Sequence, residues 1–325
     1  MGYDRAAAIG GERLYDEFLR GAAEETQFKQ GRETCYSCAV RCKRVVQAEW
    51  EENMIDPEYG GPEYETASTF GSYCDIDDLH AVSYANQLCN QYGVDTISAG
   101  ATMAFAIECF ERGLITAEDT GGIELGWGKA PEMIAMLEQT LQRQGFGDVL
   151  AEGSAVAAAH IGNGASDYLV TSKDQEFPAH MPQVKPSLAL IYAVNPFGAD
   201  HQSSEHDPNY TPELIADSPD KYGKRMADVG LTDPQPDDVL NRAKVEYALI
   251  TQYAYSAMDT ANVCQFVFGP SWQLMGMEEV ANIVTTVTGD ETNVDDLLTV
   301  GARRLNLLRA FNAREGITRE RDTLP

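Results

Sequence analysis

The stretch Glu33–Val45, ETCYSCAVRCKRV, decides how the rest of the chain is read. Cys35-x2-Cys38-x3-Cys42 gathers three thiols on one short loop. A loop of this spacing can wrap one face of an iron–sulfur cube and leave one iron for a distant ligand. A zinc site of three cysteines and one histidine is the main competitor, and ordinary core packing is the plain alternative. Zinc sites more often come as two Cys-x2-Cys pairs, so three clustered thiols with one remote partner favour the cluster. Arg41, Lys43 and Arg44 crowd the same loop. Positive charge there stabilises thiolates and an anionic cluster.

The fourth ligand has to come from Cys74, Cys89, Cys109 or Cys264. Cys89 and Cys109 fall on apolar helical faces, where a cysteine is usually a small core residue. Cys74 precedes a helix. Cys264 follows one at a tight turn, where Asn262 tolerates a left-handed backbone. Cys264 is the better candidate and Cys74 stays open.

The chain has 325 residues, enough for two domains and a large core. A formal net charge of −27 argues against nucleic acid as a partner, because phosphates are repelled, and fits an acidic, solvated surface. An odd count of seven cysteines without a secretion signal is a poor disulfide framework. There is no long uncharged apolar run to span a membrane and no basic-then-apolar leader, so the cytoplasm is the expected location.

Periodicity reads mainly as helix. Leu14–Arg20 ends a first helix, and helices follow over 77–90, 96–112, 131–144, 237–258 and 294–312. Strand-like alternation is scarce, with Asp167–Ser172 the best short candidate, and 207–236 reads as a proline-rich loop. The expected fold is mainly α, two multihelical domains with few short strands. The boundary falls near Val170, giving domains 1–170 and 171–325.

Three further features carry chemistry. NQYGVDT (Asn90–Thr96) and DTANVCQ (Asp259–Gln265) share one pattern: an Asn or Asp, two residues, Gly or Asn, Val, then Asp or Cys. Such turns can aim carboxylates at one point, though helix capping alone accounts for them. GGPEYET (Gly60–Thr66) places Glu63 and Glu65 around Tyr64 at the positive end of a helix, where a part-buried glutamate can act as general acid or base. NPFGADHQSSEHD (Asn195–Asp207) carries His201 and His206 in a loop that suits a ligand-facing turn. Metal binding by His201, Glu205 and His206 is a weaker option there.

Together these pieces resemble the aldehyde ferredoxin oxidoreductase family, the tungsten-pterin enzymes. The resemblance runs in order through CYSCAVRC, GGPEYET, YGVDTISAG, GFGDVLAEGS, KDQEFPAHMP, NPFGADH, DTANVC and FNAREGITRERDTLP. It implies that Cys35, Cys38, Cys42 and Cys264 are ligands of one [4Fe–4S] cluster. It implies that Asn90, Asp95 and Asp259 contact a bis-pterin carrying tungsten or molybdenum. Glu65 matches the glutamate beside the metal, His201 the histidine beside the substrate, and Tyr64 stands where it can orient Glu65. Ferredoxin or a similar carrier is the implied electron acceptor and a small aldehyde or acid the substrate. The chain departs from the pattern at Asn90, often Asp, and at Asn262, a glycine elsewhere. Tyr84 and Gln87 replace a Glu-x-x-His pair that holds an intersubunit iron in some members. The family's N-terminal β-rich pterin-binding domain is absent from the chain, which also stops where members usually continue. The expectation is the C-terminal part of a longer or split oxidoreductase, with a separate N-terminal domain chain as a further partner. An aromatic acyl-CoA reductase subunit and a non-catalytic iron–sulfur fragment are the alternatives.

Overall fold

The computed structural model describes residues 3–22, 31–268 and 272–325. The chain divides into two compact units, one ending at Ala179 and one running from His180 to Leu324. Both are mainly helical, and the strands form two-stranded antiparallel hairpins.

In the first unit the helix Leu79–Tyr92 starts where the Asp78 side chain accepts the His80 N–H at 2.9 Å. Leu79, Val82, Ala85 and Cys89 repeat along one face and are fully buried. The helix Thr96–Glu111 starts at Asp95, which accepts the Ser98 N–H at 2.8 Å. It lies so close to the helix Tyr64–Phe70 that a Cβ on Gly100 would stand 2.6 Å from Thr69 Oγ1. The helix expected to reach Gln144 spans Ala130–Leu141 instead. Arg143 turns left-handed (φ 53°) and the Gln144 N–H returns to the Gln139 carbonyl, which closes the helix early. Leu14–Phe18 is a single π-helical turn. Within 167–172 only Thr171–Ser172 is strand, paired with Gln175–Glu176. Residues 171–179, assigned above to the second domain, pack with the first unit. Glu176 accepts from the Ser154 N–H (2.8 Å) and hydroxyl (2.7 Å) and from the Thr102 hydroxyl (3.2 Å).

In the second unit the helices Arg242–Thr260 and Val294–Arg314 pack against each other. A Cβ on Gly301 would overlap the Tyr253 carbonyl, so glycine is what lets them approach. The first of these helices begins at Arg242 rather than Asp237, because Asn241 caps it by accepting the Lys244 N–H at 3.0 Å. The 207–236 stretch, read as loop, holds the short helices Pro212–Asp217 and Lys224–Asp228. Both are too short to show a helical period. Tyr247, Met258, Phe268 and Trp272 centre the core. Among the described residues no helix is long and apolar enough to cross a membrane.

Candidate functional site

The seven cysteines fall into two sets by burial. Cys74, Cys89 and Cys109 are fully buried. Burial pushes the Cys74 and Cys89 thiols up to about 12 and the Cys109 thiol up to about 11. The Cys74 thiol donates to the Thr69 carbonyl at 3.4 Å. Cys74 thus sits wholly within the core, where a cysteine is usually a packing residue. Cys35 and Cys264 are exposed, and Cys38 and Cys42 are half-buried. Cysteine is among the most buried residue types, so four thiols outside the core call for a reason other than packing.

The cysteine loop is clamped at its base by a hairpin pairing Arg32 with Arg44 and Glu33 with Lys43. Inside it the Cys38 N–H donates to the Cys35 carbonyl at 3.1 Å, and the Thr34 hydroxyl donates to the Cys38 carbonyl. Ser37 (φ 57°) and Arg41 (φ 54°) are left-handed. Each costs of order 1 kcal/mol, a strain typical of loops shaped for a ligand.

The two similar turns share one backbone. After Leu79–Tyr92, Gly93 is left-handed (φ 71°), its N–H donates to Asn90, and the Val94 N–H returns to Cys89. After Arg242–Thr260, Asn262 is left-handed (φ 58°), its N–H donates to Asp259, and the Val263 N–H returns to Met258. Asp95 and Cys264 then stand at the same place, just before the next helix. The Asn90 amide donates to the Asn86 carbonyl at 2.9 Å. Asp259 pairs with Arg304 at 3.2 Å. Burial raises the Asp259 carboxyl, and Arg304 opposes it.

Glu65 lies in the first turn of Tyr64–Phe70 and is 8% exposed. Its Oε2 accepts the Ala179 N–H at 2.7 Å. Tyr64, next to it, is 58% exposed. Tyr73 is the tyrosine whose phenol feels Glu65: burial raises it, and the Glu65 and Tyr64 charges add to the rise. Sequence reasoning passed over Tyr73, one turn beyond a helix end with no local signal.

In the second unit His201 is stacked on His180 (centroids 4.6 Å, 18° between planes), and His206 meets His180 edge-on at 4.5 Å. Lys185 Nζ lies 3.1 Å from His180 Nδ1. His180 went unread, though Pro178 and Pro182 flank it and mark a shaped loop. Glu205 is buried and accepts from Asn209, the His206 N–H and the Tyr255 hydroxyl, a structural network rather than a metal-ligand pose. Tyr84 stacks on Trp50 at 5.3 Å, and the Gln87 side chain accepts the Asp56 N–H at 2.6 Å.

The His206 Nε2–H donates to the His201 carbonyl at 2.8 Å, a bond that by itself favours the charged ring. Burial lowers its pKa from 6.5 to about 4, with His180, Lys185 and His201 adding to the fall. Between those values the unfolded chain binds the proton and the folded one does not. The contribution is complete above pH 6.5 and is lost as pH falls towards 4, of order 3 kcal/mol in all. Denaturant titrations from pH 7 to 4 check this, and His206→Gln is expected to flatten the slope in that window.

Mainly helical units carrying a three-cysteine loop, paired turns and a first-turn glutamate in this order match one protein family. The chain belongs to the aldehyde ferredoxin oxidoreductase family: residues 3–325 match the family described as "Aldehyde ferredoxin oxidoreductase, domains 2 & 3". It is 31% identical over 313 residues to the tungsten-containing aldehyde ferredoxin oxidoreductase of Pyrococcus horikoshii, covering 94% of this chain and 46% of the relative. It is 30% identical over 191 residues to the WOR-like subunit of an aliphatic sulfonate oxidoreductase of Pyrococcus furiosus, covering 55% of this chain and 30% of that one. The chain thus spans about half the length of the aldehyde ferredoxin oxidoreductases it matches. Among solved structures it resembles the active site complex BamBC of benzoyl coenzyme A reductase bound to 1,5-dienoyl-CoA. The TM-score is 0.70, over 98% of this chain and 52% of that one. At 21% identity this likeness shows a shared fold.

Proposed function

We propose that this chain is the C-terminal part of a tungsten-pterin, [4Fe–4S] oxidoreductase that oxidises an aldehyde to a carboxylic acid with ferredoxin as acceptor. The observation that carries the reading is the sorting of the cysteines: the four kept out of the core are the four the family pattern assigns as ligands. Cys35, Cys38, Cys42 and Cys264 would hold the cluster, and Asn90, Asp95 and Asp259 would hydrogen-bond the pterins. The chemistry these groups supply when bound is two-electron redox at the substrate carbon and single-electron relay outward. Glu65 carries the proton. The Ala179 N–H on its Oε2 holds the carboxylate in place. His201 donates a hydrogen bond to the substrate oxygen.

Anaerobic reconstitution with iron and sulfide tests the ligand set. Wild-type chain is expected to take up a four-iron cluster, Cys264→Ser to lose it, and Cys74→Ser to keep it. Full iron content in Cys264→Ser would end the assignment.

The fold shared with the benzoyl-CoA reductase complex supports a second reading, a subunit that reduces an aromatic acyl thioester. A panel of aldehydes and acyl thioesters on the complete enzyme separates the two. Iron without tungsten in the isolated chain would favour a non-catalytic iron–sulfur fragment over both.

A further inference from the structure

We infer that a cleft within the first unit binds an aromatic ammonium ion, a flat ring carrying a protonated amine. The cleft has a volume of about 500 Å³, and Tyr73, Phe105, Trp127, Tyr168 and Phe177 supply its aromatic wall. That size suits one ring with a short side chain, and rings around a few polar groups are the usual lining of a small-molecule site. The inference stands on the cleft alone and does not draw on the redox reading.

Glu176 is the polar group that decides the ligand. It lines the cleft yet is only 5% exposed. Its Oε1 takes three hydrogen bonds, from the Ser154 N–H (2.8 Å), the Ser154 hydroxyl (2.7 Å) and the Thr102 hydroxyl (3.2 Å). Among the described residues no hydrogen bond or ion pair reaches Oε2. Fixing the strand Gln175–Glu176 to the helix Ser154–Ile161 needs only one acceptor oxygen, which a glutamine would supply without a charge. A buried carboxylate with no cation beside it is unfavourable, and a cation entering the cleft offsets that penalty. An ammonium group brings both the charge and N–H donors for Oε2.

The rest of the wall favours the same ligand. It contains no lysine, arginine or histidine. Asp167 adds a second carboxylate, and Glu108 a third that Arg112 neutralises at 2.8 Å. The Arg112 guanidinium also lies over the Tyr168 ring at 5.3 Å, so this wall already attracts a cation of the chain itself. The Tyr73 hydroxyl donates to the Phe177 carbonyl at 3.3 Å, which fixes the Tyr73 ring in the wall. Ring faces attract positive charge, most strongly where water is excluded. An anion meets like charge here, and a neutral ring gains only the stacking.

The test titrates the chain with phenethylammonium and with 2-phenylethanol, its uncharged counterpart of nearly the same shape. Both titrations are run in about 0.5 M salt, so that the chain's overall negative charge is screened. The indole N–H resonance of Trp127, assigned by its loss in Trp127→Phe, reports binding in the cleft. Phenethylammonium is expected to shift it and to bind at least about tenfold more tightly than the alcohol. Glu176→Gln keeps an acceptor oxygen for Ser154 and Thr102, and is expected to bring the two probes within about threefold of each other. Equal binding of the two probes by the wild-type chain, no shift with phenethylammonium, or a full preference retained in Glu176→Gln would each overturn the proposal. The wild-type comparison needs no variant, so it decides even where Glu176→Gln unfolds.

Discussion

Replacing Glu65 by glutamine in the complete enzyme is expected to lower turnover by roughly 10²–10⁴-fold, the range a positioned acid–base group contributes. Tungsten and iron contents should not change, because Glu65 is assigned to the proton and not to either metal group. Glutamine keeps the shape, and its carbonyl oxygen still accepts the Ala179 N–H, so the fold should survive. What it loses is the basic carboxylate. Steady-state rates with an aldehyde, alongside metal analysis of the same sample, decide the matter. Near-normal turnover removes Glu65 from the chemistry. Lost turnover with lost metal recasts it as a residue that secures the cofactor.

The second large effect concerns stability and the loop that carries the histidines. Lys244 and Asp207 are both wholly buried and lie 3.3 Å apart. Asp207 also accepts from the Ser187 N–H and hydroxyl and from the Leu188 N–H, so it caps the helix Pro186–Val194 from within the core. Tyr247 donates to the His206 carbonyl at 2.9 Å beside it. Lys244→Met removes one charge and leaves the other buried, a change that costs about 3–5 kcal/mol. Chemical denaturation should show the transition of the second unit moved down by that amount. A loss below about 1 kcal/mol would mean that the pair is not what holds the His201–His206 loop.

The cysteine loop was legible because its information is local. Three thiols at fixed short spacing can be read without knowing the fold, and so can the two turns, whose repeated Asn-or-Asp, Gly-or-Asn, Val order encodes one backbone. The buried helical face of Leu79, Val82, Ala85 and Cys89 followed from period alone. Where local signals competed, the reading slipped. Capping by Asn241 overrode the helical look of 237–241, and the left-handed Arg143 ended a helix that composition would have continued.

By itself the sequence determined the class of the chain, the thiol loop, the paired turns and the position of an acid at a helix start, since each is written within a few neighbouring residues. The tertiary structure decided which cysteines are core, that Glu65 is buried against an amide 114 residues away, and that the Tyr73 phenol lies within reach of its charge. Burial and long-range hydrogen bonds depend on which distant segments meet. No spacing along the chain records that meeting until packing brings the segments together.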